Sequence, residues 1–171
     1  VSAFDLGRLQ DMTNQFLETE GGFSRRFLAA GVTVRPDPRS KGLGVFATAP
    51  LPAGTWLGTF TGDPSPVRSR MSLQFGPDLF IEPDPLEPLR NLNHACEPTA
   101  GFVGRDLFAR RALEAGEPVT IDYNLHEPEL AIPFACACGS QGCVGEVQGW
   151  RFLGAEEKAL RRPSAGAWLA D

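Results

Sequence analysis

Three of the chain's four cysteines, Cys136, Cys138 and Cys143, fall within one eight-residue run, and the fourth, Cys96, lies forty residues upstream in Asn93-His94-Ala95-Cys96. Thiolates are soft ligands, and four of them complete the closed tetrahedral shell of a structural zinc site. No basic stretch followed by an apolar run marks a secretory leader, so the thiols are expected in a reducing compartment, where disulfides are disfavoured. Disulfide pairs and inert buried thiols stay open as alternatives, because a C-x-C spacing alone does not decide between them. Gly139, Gly142 and Gly145 give the loop the backbone freedom that a tight metal turn needs.

Other candidate chemistry lies close by. Asn93 and His94 offer amide and imidazole groups that both donate and accept, which suits a ligand with purine and amino-acid ends; a structural hydrogen-bonding role is the plainer reading. Gly42-Leu43-Gly44 would let backbone approach a ligand closely, though a lone G-x-G is more often a turn. Tyr123 is the single tyrosine beside twelve phenylalanines, which hints that its hydroxyl is wanted rather than merely packed. His126 reads as a surface or loop histidine.

The elements that must position these groups are short. Nineteen glycines and fifteen prolines without a period mean many turns and brief strands, so the expected class is mainly β with short helices. Apolar spacing over residues 4–18 predicts a helix, with a second short one over 23–30. Strands are expected at 32–34, 56–60, 79–81 and 119–123, with a glycine-rich turn leading into a β-type run over 40–47 and a hairpin turning at Gly104-Arg105-Asp106. A short helix is expected around 67–75 and another over 152–160, and the tail beyond Pro163 shows no clear pattern. The chain divides into a helical flank (1–31), a central domain (32–125), a cysteine segment (126–150) and a C-terminal helix and tail (151–171).

Composition narrows the function. With 171 residues, one core is expected. A net charge of −5 argues against a duplex-DNA reader, which needs a basic footprint, and permits a cationic partner. No run of apolar residues is long enough to span a membrane. Lys41 and Lys158 are the only lysines, a usage that reads as GC-rich coding and suggests the bacterial cytoplasm, or the nucleus were the source eukaryotic.

Taken together and in order, these pieces resemble a SET domain with its post-SET zinc segment. The resemblance rests on Lys41-Gly42-Leu43-Gly44-Val45-Phe46-Ala47, on Arg90-Asn91-Leu92-Asn93-His94-Ala95-Cys96-Glu97-Pro98, on Gly116-Glu117-Pro118-Val119-Thr120-Ile121-Asp122-Tyr123, and on the C-x-C-x4-C run. It implies a protein-lysine methyltransferase using S-adenosylmethionine, built as a β-clip of small sheets in which the Asn93-His94 segment and the segment after Tyr123 thread past each other. It also implies cofactor contacts from Lys41, Gly42, Leu43, Gly44, Phe60, Asn93, His94 and Tyr123, catalysis at Tyr123, and zinc on Cys96, Cys136, Cys138 and Cys143. Trp150, an aromatic after the metal loop, is the candidate to cover the adenine.

Departures from the family pattern bear on substrate. Phe60 stands where the family has a tyrosine near cofactor and substrate amine, and Ile121 stands where an aromatic is common. Both are expected along the substrate channel, and the small Ile121 leaves room for repeated methylation. The partner implied is a lysine-containing protein or peptide. The alternatives are a catalytically weak module that binds cofactor or peptide, and a methylase of a small amine or biosynthetic peptide. A free lysine is neutral only about once in 2,500 molecules at pH 7, so such a site must disfavour the ammonium by desolvation and a nearby positive charge.

Overall fold

The computed structural model describes residues 28–40 and 42–169. The helix expected over 4–18 and most of that over 23–30 lie outside the described residues. Residues 28 and 29 are extended rather than helical: Leu28 bridges Gly58, and the Ala29 N–H donates to the Leu57 carbonyl at 3.0 Å.

Three small sheets and a two-stranded ribbon make up the body. The sheet that matters most contains β1 (Val32–Asp37), β2 (Gly42–Ala47), β10 (Pro118–Ile121) and β7 (Asn93–His94), in the order β1-β2-β10-β7. Val, Thr and Phe in β1 and β2 suit a pleated, half-buried surface, and Pro36 is tolerated because β1 is an edge. β1 and β2 pair antiparallel from Val32↔Ala47 to Asp37↔Gly42. β10 adds antiparallel to β2, and β7 adds parallel to β10 with Thr120↔Asn93 and Ile121↔His94. That register brings the Asn-His pair beside the segment that enters Tyr123.

The second sheet orders β3 (Trp56–Thr59), β9 (Asp106–Ala109) and β8 (Ala100–Val103). Its hairpin closes as expected, with Val103 opposite Asp106 and Gly104 at φ 57°, the left-handed region that a two-residue turn requires. The third sheet orders β4 (Gly62–Ser65), β6 (Leu79–Pro83) and β5 (Leu73–Gly76). The short helix expected around 67–75 is not there. Ser69 Oγ instead accepts the N–H groups of Met71 and Ser72, each at 3.0 Å, making a side-chain-capped turn that delivers the chain into β5. The inner faces meet in one core that includes Val45, Leu57, Phe60, Ile81, Leu107, Val119 and Ile121.

Beyond Tyr123 the chain forms the ribbon of β11 (Phe134–Ala135) and β12 (Glu146–Val147), then helix α1 (Ala155–Arg161). α1 starts three residues later than spacing suggests, because Trp150–Phe152 make a separate 3-10 turn. The Gly154 N–H donates to Glu157 Oε2 at 2.7 Å, fixing where α1 begins. The tail docks. Leu169 packs with Leu125, Trp150 and Leu153 in a second small core, and Trp168 Nε1–H donates to the His126 carbonyl at 3.0 Å. Among the described residues no helix is long and apolar enough to cross a membrane.

Candidate active site

One cleft of about 620 Å³ runs between the β1–β2 turn and the cysteine segment, a size that accommodates a small-molecule ligand. Gly42, Leu43, Phe60, Asn93, His94, Ile121, Tyr123, Phe134, Cys136 and Cys138 all line it.

Asn93 forms part of its floor. The Asn93 Nδ2 group donates to Asp37 Oδ2 at 2.9 Å, Leu43 O at 3.1 Å and Ser40 Oγ at 3.2 Å. A carboxylate and a carbonyl can only accept, so the amide orientation is settled. Gly44 lies beneath it: a Cβ there would meet Asn93 Nδ2 at 3.0 Å and Phe46 at 2.9 Å. Gly44 therefore serves the seating of Asn93 and does not itself line the cleft. Lys41 lies outside the described residues.

His94 faces two ways. Its Nδ1 accepts the Tyr123 N–H at 3.2 Å, so the proton of the neutral ring sits on Nε2, 3.3 Å from Cys96 Sγ. Burial holds this imidazole down at about 4, against the pull of the Asp122 carboxylate and with the repulsion of Arg161. The 3.6 Å approach of Nδ1 to Asp122 is thus not an ion pair. Asp122 is instead engaged by Arg161 Nε at 3.0 Å and by Asn124 Nδ2 at 2.9 Å, and Arg161 reaches on to the Gly142 carbonyl at 3.1 Å.

Tyr123 donates its hydroxyl proton to the Leu92 carbonyl at 2.6 Å, which leaves the oxygen lone pairs to accept. Burial pushes its phenol up to about 12, partly countered by Arg70. At neutral pH the group is a fixed dipole, not a base.

The four cysteine sulfurs lie within 4.8 Å of one another. A tetrahedron with metal–sulfur bonds of about 2.3 Å has sulfur–sulfur edges of about 3.8 Å, and Cys96 Sγ and Cys136 Sγ are 3.8 Å apart. That separation is far outside disulfide bonding, and all four thiols are free. Burial pushes the Cys96 thiol far up and that of Cys136 up to about 11. At Cys138, burial is outweighed by the Ser140 hydroxyl and backbone N–H groups, and the thiol falls to about 6. A divalent cation would resolve this mismatch by ionising the whole set. The donor set and spacing fit zinc.

Trp150 is not brought to the cleft. It is wholly buried (0% exposed) in the second core, with Arg162 over its ring at 4.4 Å. An exposed aromatic on the cleft is Phe134, 36% exposed, with its ring 5.8 Å from that of His94 and 6.1 Å from that of Tyr123. The signal that marks Phe134 is its place two residues before Cys136, inside a segment the metal must order. His126, expected at the surface, is buried with its ring against Phe75 and Phe102 and its carbonyl bonded by Trp168 of the tail. Phe60 and Ile121 line the cleft yet are both fully buried. Sequence reasoning missed the pairing of Asp122, which stands in a motif, with Arg161, which stands in none, and the buried carboxyl of Glu127.

Comparison with known proteins agrees with this geometry. Residues 42–124 match the family model described as SET domain. The chain is 36% identical over 108 residues to the methyltransferase flvH of Aspergillus flavus, covering 58% of this chain and 57% of that one. It is 30% identical over 134 residues to the histone-lysine N-methyltransferase ash1 of Drosophila melanogaster, covering 64% of this chain and 6% of that one. The chain thus spans about half of the first relative and a small part of the second. The methyltransferase domain of human histone-lysine N-methyltransferase SETMAR shares the fold at TM-score 0.57 and 18% identity, over 71% of this chain and 59% of that one. KRYPTONITE, solved with mCHH DNA, an H3(1-15) peptide and SAH, shares it at TM-score 0.57 and 20% identity, over 70% of this chain and 30% of that one.

Proposed function

The chain carries a SET domain in residues 42–124, and on that premise we propose that it is an S-adenosylmethionine-dependent methyltransferase acting on the side-chain amine of lysine in a protein or peptide. The observation that carries the reading is the parallel β7–β10 register, which sets Asn93, His94 and Tyr123 on one cleft closed by the cysteine cluster. The division into a catalytic unit over 32–125 and a metal segment over 126–150 goes with it.

When bound, S-adenosylmethionine supplies a sulfonium-borne methyl group to an incoming amine. Leu43, Asn93 and Phe134 would hold that cofactor, with Phe134 rather than Trp150 as the aromatic against the adenine. Cys96, Cys136, Cys138 and Cys143 would hold Zn²⁺, whose chemistry here is closure: it ties residues 136–143 to Cys96 and so orders the wall that bears Phe134. Tyr123, protonated and fixed on Leu92 O, offers oxygen lone pairs that orient the amine. Orientation of the reacting pair is the larger share of what such a site contributes. Phe60 and Ile121 exclude water from the approach. Ile121, smaller than an aromatic, leaves space for an amine that already carries a methyl group, so products beyond monomethyl are expected by mass spectrometry.

The test is to incubate the protein and radiolabelled S-adenosylmethionine with cell lysate. Label in a protein band, on lysine, supports the proposal. Label only in small molecules would replace the substrate class, and cofactor binding without label would leave a binding module.

A further inference from the structure

Glu127 is buried (5% exposed) yet lines the cleft, and its N–H donates to the Tyr123 carbonyl at 3.1 Å, one turn beyond that residue. Its Oε1 accepts the Gln74 N–H at 3.1 Å, and its Oε2 has no partner. Gln74 itself donates its side-chain NH₂ to Gly76 O at 2.7 Å and Pro77 O at 2.8 Å, leaving its own Oε1 also without a partner. Two touching residues thus keep two acceptor oxygens unsatisfied, although buried polar groups rarely forgo hydrogen bonds. Of the two residues only Glu127 lines the cleft, so its oxygen is the acceptor offered there, and an alkylammonium, with three N–H donors and no acceptor, is its complement.

The fixed charge that acts on this carboxyl is Arg68, on the loop leading to β5, whose guanidinium donates to the Glu129 carbonyl and not to Glu127. On Glu127's own turn His126 is a neutral ring and Tyr123 a protonated phenol.

We propose that Glu127 receives the cationic head of the substrate and takes its proton. This rests on the methyltransferase reading above. The ammonium pairs with Oε2, one N–H bond breaks, an O–H bond forms on Oε2, and the electron pair stays on nitrogen as the lone pair a nucleophile needs. The proton leaves Glu127 to water when product departs. Burial pushes the Glu127 carboxyl up to about 7, so it takes a proton from an amine more readily than an ordinary carboxylate does.

The test uses the full chain loaded with zinc and follows the Glu127 carboxyl carbon by NMR, assigned by its absence in Glu127→Gln. n-Butylamine, the bare lysine side chain, is titrated in, with 1-butanol as the neutral counterpart. The proposal expects n-butylamine, and not 1-butanol, to lower the midpoint of the Glu127 titration, the mark of the ammonium–carboxylate pair that precedes proton transfer. It also expects Glu127→Gln to weaken n-butylamine by about tenfold or more, the scale of a hydrogen bond to a charged group. Glutamine retains the oxygen that Gln74 N–H needs, and the wild-type resonance reports even if the variant is unstable. A Glu127 titration indifferent to the amine, or equal amine affinity in the variant, overturns the assignment. Replacing n-butylamine by the H3(1-15) peptide separates sources: tighter binding marks a protein lysine, equal binding a free small amine. Amine binding at Glu127 without label transfer in lysate would sink the methyltransferase reading alone. Transfer that Glu127→Gln leaves unchanged across pH would sink only the role of Glu127.

Discussion

The backbone N–H of Tyr123 is bonded to the ring of His94 at 3.2 Å, and the opposite nitrogen of that ring lies 3.3 Å from Cys96 Sγ. One imidazole therefore spans the distance between the hydroxyl-bearing turn and the metal cluster. Its tautomer is set by the acceptor role of Nδ1, which leaves Nε2–H to the sulfur. Outer-sphere hydrogen bonds of this kind orient metal ligands, and here the orientation runs in both directions.

Loss of the cluster should accordingly be felt in the cleft. Cys138→Ser is expected to release zinc and weaken S-adenosylmethionine together, read by metal analysis and calorimetry on the same sample. Unchanged cofactor affinity in the zinc-free variant would separate the cluster from the cofactor wall.

Tyr123→Phe removes one oxygen and its bond to Leu92 while keeping the ring. Turnover should fall by about a hundredfold, as for loss of one preorganised polar group, while cofactor affinity holds. Normal turnover on the true substrate would end the assignment of this residue.

Phe134 and Trp150 should part company. Phe134→Ala is expected to weaken cofactor binding with little change in thermal stability, because the ring is partly exposed at the cleft. Trp150→Ala should instead cost about 3–5 kcal/mol of stability, the range for a large buried aromatic. Calorimetry beside chemical denaturation distinguishes the two, and the reverse pattern would restore Trp150 as the adenine contact.

Arg161→Met leaves Asp122 as a buried carboxylate without its cation. Truncating one partner of a buried pair costs about 3–5 kcal/mol, and a denaturant midpoint shift of that size is expected. A shift below about 1 kcal/mol would mean the pair is solvated in solution.

Glu127 sets a pH signature of its own. Its carboxyl is raised from 4.5 to about 7 in the folded protein, so the folded state binds more protons than the unfolded one between those values. Its contribution to stability is full below 4.5 and is lost as pH rises through 7. Glu127→Gln removes that loss, so variant minus wild-type stability should rise with pH by about 1.4 kcal/mol per unit across this window. Denaturation at a series of pH values checks it, and a flat difference would contradict the burial of an ionisable carboxyl here.

The residues whose placement could be read from the sequence are those whose chemistry demands a particular type. An Asn-His pair, a lone tyrosine just beyond a β-branched strand and two of four clustered thiols all line one cleft. What did not read well depends on distant packing. Phe134 and Trp150 are both aromatics flanking the cysteine run, and only the fold decides which one the second core swallows. Arg161 meets Asp122 across thirty-nine residues with no intervening pattern. His126 looked exposed because the tail that covers it carries no periodicity. The short helix expected around 67–75 is replaced by a turn in which a serine side chain captures the backbone.

Arg161 grips the acidic residue beside the tyrosine and the carbonyl of Gly142 in the cysteine loop at once. The last helix is therefore a strut rather than an appendage. Trimming the protein before residue 155, or fusing a cargo that pulls α1 away, would slacken two walls of the cavity in a single cut, so any shortened version meant for crystallisation or screening has to retain it.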